Sequence, residues 1–290
     1  MRCVTALLLA CTTLVSMTGH AAVSVRDDAQ HDITLQQPAR RIISLSPHAT
    51  ELLYAIGAGN RLVARDSASD YPAAARALPA VGQYGAFNVE AIVALRPDLV
   101  IAWEGPQAGP ATQRLRELGI AVFASEPATI DAIAPTLRAL GKLTALDAEA
   151  GRAADAFDAR WHATVERYRH ARPLVVVPQV SDDPAMTVND HQFLATVFKG
   201  CGTRNPFGDN LAAVPLISQE ALIAARPDAI VALGDDTAST QHWTARWTAL
   251  PAKPALLTAP ASTLGRPGPR VLDAAAQLCT QLDRLRQGAR

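Results

Sequence analysis

The residues with the greatest capacity for chemistry in this chain are two histidines, His48 and His191. Each falls in a turn that we predict to follow a strand-like segment, and in open α/β sheets such strand ends face the ligand crevice. A pair of histidines there could bind a metal ion and support metal-assisted hydrolysis. The sequence contains neither GxSxG nor HExxH, and no closely spaced acidic pair is flanked by histidine. A hydrogen-bonded turn histidine is therefore favoured at both positions, with an exported metal-dependent hydrolase as the less favoured alternative.

The N-terminal segment indicates that the protein is exported. Met1-Arg2 is a short basic start, an apolar run extends to about Met17, and small residues precede Ala22. This pattern is typical of a secretory signal peptide, which we predict over residues 1–21. The alternative is that LLLAC is a lipidation box in which Cys11 is acylated. Both interpretations imply export.

Two cysteines, Cys201 and Cys279, remain after removal of the signal peptide. An exported protein meets an oxidising compartment, which favours a disulfide between them. The alternative is a pair of buried free thiols. A zinc or catalytic role is not favoured, because neither cysteine belongs to a CxxC motif or has a paired histidine.

The overall composition argues against nucleic-acid binding and against a membrane-spanning segment in the mature chain. Lys+Arg and Asp+Glu are both 27, so the formal net charge is zero, and no basic run or basic–aromatic stripe indicates nucleic acid. After residue 21 no apolar segment is long enough to span a bilayer. The remaining length, about 270 residues, suits two lobes better than one very large core.

One stretch of the sequence occurs twice. VEAIVALRPDLVIA begins at Val89, and QEALIAARPDAIVA begins at Gln219, 130 residues later and without a gap. Each copy predicts a short amphipathic helix, a break at Arg-Pro-Asp, and a continuous apolar run typical of a buried parallel strand. Glu90 and Glu220 lie at the same position near the start of the two helices. The repeat therefore predicts two equivalent structural units.

The predicted elements around the repeat alternate between strand and helix in both halves of the chain. Strands are predicted at 41–45, 62–64, 99–103, 121–124, 174–177, 229–233 and 255–258. We expect an α/β protein with two pseudo-equivalent lobes, each with a parallel sheet, over residues 22–144 and 172–290. Residues 145–171 have high helical propensity and predict one long linking helix. Such a helix holds a ligand cleft between the lobes at a nearly constant opening, so closure on ligand should be small.

Three aromatic residues fall where such a cleft would be lined. Tyr71, Tyr84 and Trp103 all lie in loops or at strand ends, in a chain that is only 5% aromatic. We expect them to line the cleft, with local loop packing as the alternative. Phe87 is expected to pack in the core.

The chain resembles the periplasmic vitamin B12-binding proteins, which belong to the helical-backbone class of ABC-transporter receptors that also serves haem and ferric siderophores. The resemblance covers nearly the whole mature chain and is densest between residues 41 and 103. The motifs that carry it are Arg41-Ile-Ile-Ser-Leu-Ser-Pro, Thr50-Glu51-Leu52, Ser69-Asp70-Tyr71-Pro72, Asn88-Val-Glu90, Arg96-Pro-Asp98-Leu-Val-Ile-Ala-Trp103 and Gln277-Leu-Cys279.

The resemblance implies a non-enzymatic periplasmic receptor that binds cobalamin or a related corrinoid and delivers it to an inner-membrane ABC permease. It also implies that the protein has no catalytic cofactor and that it is a monomer. Glu90 and Glu220 would meet arginines on the two permease subunits, and Cys201 and Cys279 match a disulfide of the second lobe. The alternative within the class is a receptor for haem or a ferric siderophore.

Only some of the family's ligand-contacting positions have matching residues in this chain. Tyr71, Trp103 and Arg266 match cleft positions, and Tyr84 stands where the B12 binders have tryptophan. Other positions depart from the B12 binders: Met186 and Val214 replace aromatics, Ser262 lies near the place of an expected acid, and His48 occupies a normally small position. Gln83 aligns with the tyrosine that ligates haem in the haem receptors. The resemblance therefore implies a less aromatic pocket, which His48 and Met186 also line, and counts modestly against haem.

Overall fold

The computed structural model describes residues 22–105 and 107–288. The two largest sheets within these residues are four-stranded and parallel. In chain order, the first half contains β1 (Val23–Arg26), β2 (Asp32–Leu35), β3 (Ile42–Ser44), α1 (Pro47–Ala55), β4 (Leu62–Arg65), β5 (Gly82–Gln83), β6 (Ala86–Phe87), α2 (Val89–Ala94), β7 (Leu99–Ala102), α3 (Gly109–Glu117), β8 (Val122–Ala124) and α4 (Ile133–Thr144). The second half contains α5 (Asp147–Tyr168), β9 (Leu174–Gln179), β10 (Ser181–Asp182), β11 (Ala185–Met186), α6 (Phe193–Gly200), β12 (Thr203–Arg204), α7 (Gln219–Ala225), β13 (Ala229–Leu233), α8 (Thr237–Ala245), β14 (Ala255–Ala259), α9 (Ala261–Leu264) and α10 (Val271–Gly288).

The two sheets share one topology. Their strand orders are β4-β3-β7-β8 and β12-β9-β13-β14, and every pairing within them is parallel. Both strands of the repeat, β7 and β13, are buried along their whole length, as continuous apolar runs require. The predicted α/β fold with two parallel-sheet lobes is confirmed.

The repeated residues perform the same structural tasks in both lobes. Asn88 and Ser218 cap α2 and α7, and their side chains accept hydrogen bonds from the backbone N–H three residues ahead. The repeated aspartates tie each unit to the neighbouring strand. A carboxylate oxygen of Asp98 accepts from the Arg41 N–H at 3.0 Å, and one of Asp228 accepts from the Val175 N–H at 2.7 Å. The Arg-Pro-Asp sequence therefore ends each helix and also hydrogen-bonds to the chain at the neighbouring strand.

The long helix α5 connects the two sheets and occupies 147–168 of the predicted linking segment. At its start, Ala150 packs on Gly141 of α4, where an added Cβ would lie 2.3 Å from the Ala150 side chain. Farther along, Trp161 covers Gly200 of α6, where an added Cβ would lie 2.1 Å from the indole. A single apolar core runs from the first lobe through α5 into the second. The helix is thus packed rigidly against both lobes.

The predicted disulfide between Cys201 and Cys279 is confirmed. It joins the end of α6 to α10 in the second lobe, with a Cα–Cα distance of 4.9 Å, and both cysteines are buried. Phe87 packs against the outer apolar cluster of the first lobe, as expected. No helix among the described residues is both long and apolar enough to cross a bilayer. The predicted signal peptide and Cys11 lie outside the described residues.

Candidate functional site

Residues from both lobes meet in the space between them. A cavity of about 310 Å³ is lined on the first lobe by His48, Trp103 and Ser125, and on the second by Val188 and His191, among others. The first-lobe residues follow β3, β7 and β8, at the carboxyl ends of three strands of its parallel sheet. Val188 and His191 follow β11, which belongs to the antiparallel pair β10–β11 of the second lobe. The predicted cleft between the lobes therefore exists.

A second cavity lies on the other side of the same interface. It measures about 430 Å³ and is lined by Glu51, Tyr71, Arg160 and Arg270, together with neighbouring residues. The segment from Gly265 to Arg270 contributes to both cavities, because Gly265 and Pro267 line the first while Pro269 and Arg270 line the second. This segment therefore crosses the middle of the interface and divides it.

Ion pairs hold that segment against the first lobe. Arg270 donates from Nε to Glu51 Oε2 at 3.0 Å, and its guanidinium also lies 4.1 Å from the centre of the Tyr71 ring. Arg266, predicted as a ligand contact, donates from Nη1 to Asp70 Oδ1 at 2.9 Å. This hydrogen bond holds the pKa of the Asp70 carboxyl below its ordinary value. Arg266 is thus placed at the interface, but it is already engaged by an acid of the opposite lobe.

The three predicted cleft aromatics do not form one cluster. The rings of Tyr84 and Trp103 have centroids 5.7 Å apart, and the two residues are 42% and 51% exposed. The Tyr84 hydroxyl donates to Gln107 Oε1 at 3.0 Å and passes Gly105, where an added Cβ would lie 2.1 Å from it. Tyr71 lies elsewhere, beneath Arg270 in the second cavity. The structure therefore presents one exposed aromatic pair and one separate tyrosine.

Two acids that were not predicted as site residues accept hydrogen bonds from the backbone near Trp103. Glu126 Oε1 accepts from the Glu104 N–H at 2.7 Å, next to Trp103. Asp28 Oδ2, in the turn between β1 and β2, accepts from the Glu126 N–H at 2.6 Å. Burial raises the pKa of Asp28. The N-terminal hairpin thus supports the aromatic wall of the cleft.

His48 is buried in the floor of the first cavity. Its Nε2 lies 2.9 Å from the Ser125 carbonyl oxygen, so Nε2 carries the proton and donates to that oxygen. Burial lowers its pKa to about 4, and the charge of Arg266 contributes in the same direction. His48 is the second residue of α1 and not a turn residue as predicted, and it is a neutral, hydrogen-bonded histidine at pH 7. His191 is exposed in the same cavity. Within residues 22–105 and 107–288, no group of three or more His, Cys, Asp and Glu could hold a metal ion.

Met186 belongs to an antiparallel ribbon that closes the second-lobe side of the cleft. It bridges to Leu216, and the same register places Val188 opposite Val214. Side chains alternate along a strand, so these four lie on one face, while Ala185 and Ile217 pack into the outer core on the other. Since Val188 lines the cavity that Trp103 also lines, this aliphatic face looks into the cleft. Met186 itself lines neither of the two cavities between the lobes.

Glu90 and Glu220 lie away from both cavities. Each is the second residue of its helix, α2 or α7, and each is exposed. Hydrogen bonds from its own backbone N–H and from the Ser218 side chain lower the pKa of Glu220. Neither glutamate lines the space between the lobes.

Comparison with known proteins identifies the family of this chain. The vitamin B12-binding protein of Vibrio cholerae is 36% identical over 247 residues, which cover 84% of this chain and 90% of that protein. The vitamin B12-binding protein of Yersinia pestis is 35% identical over 246 residues, 85% of this chain and 87% of that protein.

Solved structures agree with the sequence comparison. The crystal structure of the periplasmic vitamin B12-binding protein of Vibrio cholerae superposes with a TM-score of 0.77 at 35% identity, covering 86% of this chain and 98% of that one. The periplasmic haem-binding protein of Roseiflexus sp. RS-1 shares the fold, with a TM-score of 0.75 at 23% identity, over 86% of this chain and 99% of that one. The relatives are binding proteins, which confirms the prediction of a non-enzyme. A protein-family model described as "periplasmic binding protein" matches residues 42–246. The chain therefore belongs to the periplasmic binding protein family.

Proposed function

We propose that this protein captures cobalamin or a related corrinoid in the periplasm and delivers it to an inner-membrane ABC importer. The observation that carries the proposal is the exposed Tyr84–Trp103 pair at the mouth of the inter-lobe cleft, in a chain whose relatives of similar length are named vitamin B12-binding proteins. Two aromatic rings offer a large apolar surface to a macrocycle, and binding needs no chemical step.

Polar groups near this pair would orient the ligand. Arg266 lies in the interface with its side chain 22% exposed, and its guanidinium can donate to amide or phosphate oxygens of a corrinoid. Tyr71, His48 and the aliphatic ribbon that carries Met186 complete the proposed surroundings. Binding would require Arg266 to share or exchange its hydrogen bond with Asp70. The ligand would therefore compete with an existing contact between the lobes.

The remaining parts of the proposal concern export and delivery. Residues 1–21 would direct export, with acylation of Cys11 as the alternative. Glu90 and Glu220 would contact arginines of the two permease subunits, because both acids are exposed at equivalent places in equivalent lobes. The receptor would act as a monomer, so that one pair of acids meets one dimeric permease.

A co-elution experiment tests the proposal. Purified protein is incubated separately with cobalamin, cobinamide and haem, desalted, and examined by absorption spectroscopy, with calorimetry for stoichiometry. We expect a corrinoid to co-elute at one molecule per chain. Co-elution of haem alone would contradict the proposal, and so would retention of none of the three.

A further inference from the structure

One carboxylate lies in the wall of the cavity that Trp103 and His191 line. It belongs to Glu126, which follows β8 by two residues and is half-buried. Among the described residues that line this cavity, Glu126 is the only acid, and neither lysine nor arginine accompanies it. The cavity therefore carries a single carboxylate on a wall that contains no arginine or lysine.

Hydrogen bonds on both sides hold Glu126 in place. Its backbone N–H donates to Asp28 Oδ2 at 2.6 Å, and its side-chain Oε1 accepts from the Glu104 N–H at 2.7 Å. The carbonyl oxygen of the preceding residue, Ser125, accepts from His48 Nε2 at 2.9 Å. Because these contacts engage both its backbone and its side chain, the carboxylate has a defined position in the cavity wall.

The second carboxylate oxygen of Glu126 is free to accept. Within the part of the chain that the structure describes, no group donates to Oε2 and no cation pairs with the side chain, yet Oε2 is not a buried atom. The neighbouring acid, Glu104, is by contrast paired with Arg116 at 2.6 Å. Arg266, at the same interface, is held by Asp70 at 2.9 Å. Glu126 therefore offers the cavity both an acceptor and a negative charge.

The opposite wall offers backbone donors. Phe193 and Leu194, the first two residues of α6, line the same cavity, and their N–H groups have no acceptor within the helix. Such groups bind the oxygen of a carboxylate as well as that of an amide. They do not select an amide, so discrimination between the two groups falls to the carboxylate of Glu126.

We infer that Glu126 makes the cleft select a macrocycle whose edge carries primary amides over one whose edge carries carboxylates. The inference rests on the proposed function and adds to it a reason why a corrinoid, with amides around its ring, binds in preference to haem, with its propionates. An amide N–H can donate to Glu126 Oε2, and a charge-assisted hydrogen bond is roughly twice as strong as a neutral one. An ionised carboxylate has no proton to donate, and its charge is repelled by Glu126 more strongly in a cavity than in water.

The test compares two ligands that share one ring. Cobinamide carries amides at the ring edge, and cobyrinic acid carries carboxylates in their place. Calorimetry at pH 8, which keeps histidine charge out of the comparison, measures both affinities for wild type, Glu126→Gln and Glu149→Gln. Glu149→Gln is the control, because it removes the same charge from an exposed acid of α5 that lines neither cavity between the lobes.

Wild type should bind cobinamide at least about tenfold more tightly than cobyrinic acid. Glu126→Gln keeps an oxygen that can accept from the Glu104 N–H but removes the charge. It should therefore weaken cobinamide binding about threefold to tenfold and strengthen cobyrinic acid binding by a similar factor. Glu149→Gln should leave the ratio of the two affinities as in wild type. Opposite changes for the two ligands identify an effect of charge, since a displaced Trp103 would weaken both.

The outcomes separate this inference from the proposed function. If wild type binds neither cobinamide nor cobalamin, the proposed function fails. If wild type binds cobinamide and cobyrinic acid with the same affinity, the inference is wrong while the receptor function stands, and this comparison needs no variant. An unchanged ratio of affinities in Glu126→Gln, or a change of the same sign for both ligands, would also overturn the inference.

Discussion

Glu51 and Arg270 join the two lobes by a two-point ion pair between residues 219 positions apart in the sequence. The Glu51 side chain, on α1, is 3% exposed, and Arg270 lies immediately before α10. Gly268 lies beside the pair, and a Cβ there would lie 3.0 Å from Glu51 Oε2. The pair and α5 therefore connect the lobes at two separate places.

The first prediction concerns this connection. Arg270→Ala removes both hydrogen bonds to the buried Glu51 carboxylate and leaves only Arg266, at 3.8 Å, as a nearby cation, so it should lower the free energy of unfolding by about 3 kcal/mol. It should also increase the radius of gyration in X-ray scattering, whereas wild type should give nearly the same radius with and without ligand. Arg160→Ala is the control, because Arg160 and Asp273 form an exposed ion pair and should contribute less than about 1 kcal/mol. A large decrease in the wild-type radius on binding would contradict the rigid connection.

The second prediction concerns the aromatic pair. Trp103→Ala should weaken cobalamin binding by about tenfold or more in calorimetry, because it removes one of the two neighbouring rings, whose planes are tilted by 32°. Tyr84→Phe keeps the ring and removes only the hydrogen bond to Gln107, so it should change affinity by less than about threefold. Leu118→Ala, on the outer surface, is the control. Unchanged affinity in Trp103→Ala would exclude this pair from the binding site.

The third prediction concerns pH. The pKa of His48 falls to about 4 in the folded protein, below its ordinary 6.5. Between these values the unfolded chain binds a proton that the folded protein does not, so the free energy of unfolding decreases as pH falls from 6.5 towards 4. The loss from this group is roughly 2–3 kcal/mol over the window. Urea unfolding at pH 5 and pH 7 should show a smaller difference in His48→Gln than in wild type, whereas exposed His162→Gln should behave like wild type.

The fourth prediction concerns the disulfide. Cys201 and Cys279 are 78 residues apart, and closing a loop of that length stabilises a folded chain by about 4–5 kcal/mol in the chain-entropy model. Replacing both cysteines by alanine should lower the free energy of unfolding by that order in urea titration. Dithiothreitol should destabilise wild type and leave the double variant unaffected. A loss below about 1 kcal/mol would show that the unfolded chain is not constrained by this bond.

The fifth prediction concerns the repeated glutamates. Glu90→Ala and Glu220→Ala should each reduce cobalamin uptake by cells, and the double variant should reduce it more than additively, because the second contact forms at high effective concentration. Ligand binding by the purified variants should be unchanged, since neither residue lines a cavity between the lobes. Glu149→Ala, an exposed acid in the first turn of α5, is the control. Normal transport by the double variant would disprove docking, and lost ligand binding would disprove the placement of these acids.

The fold and much of the site were predictable from sequence because their signals are local. Continuous apolar runs located β7 and β13, and a repeated Arg-Pro-Asp located the end of each repeat helix. Local signals also erred in detail. Serine directly before a proline is typical of a helix N-cap, and Ser46 does precede α1, but its side chain makes no cap hydrogen bond. Glu51, an acid within the apolar segment of α1, indicates a buried basic partner, but no local pattern identifies that partner as Arg270.

The sequence by itself determined two equivalent α/β units, the long helix between them, the cysteine pair and the two repeated acids, because periodicity, helix caps and apolar runs depend on neighbours a few residues away. Only the tertiary structure decided that Tyr84 lies with Trp103 while Tyr71 lies under Arg270, and that Arg266 is held by Asp70. Those contacts depend on how the two lobes are oriented by packing on α5, which brings together side chains about 200 residues apart. No local pattern encodes that orientation.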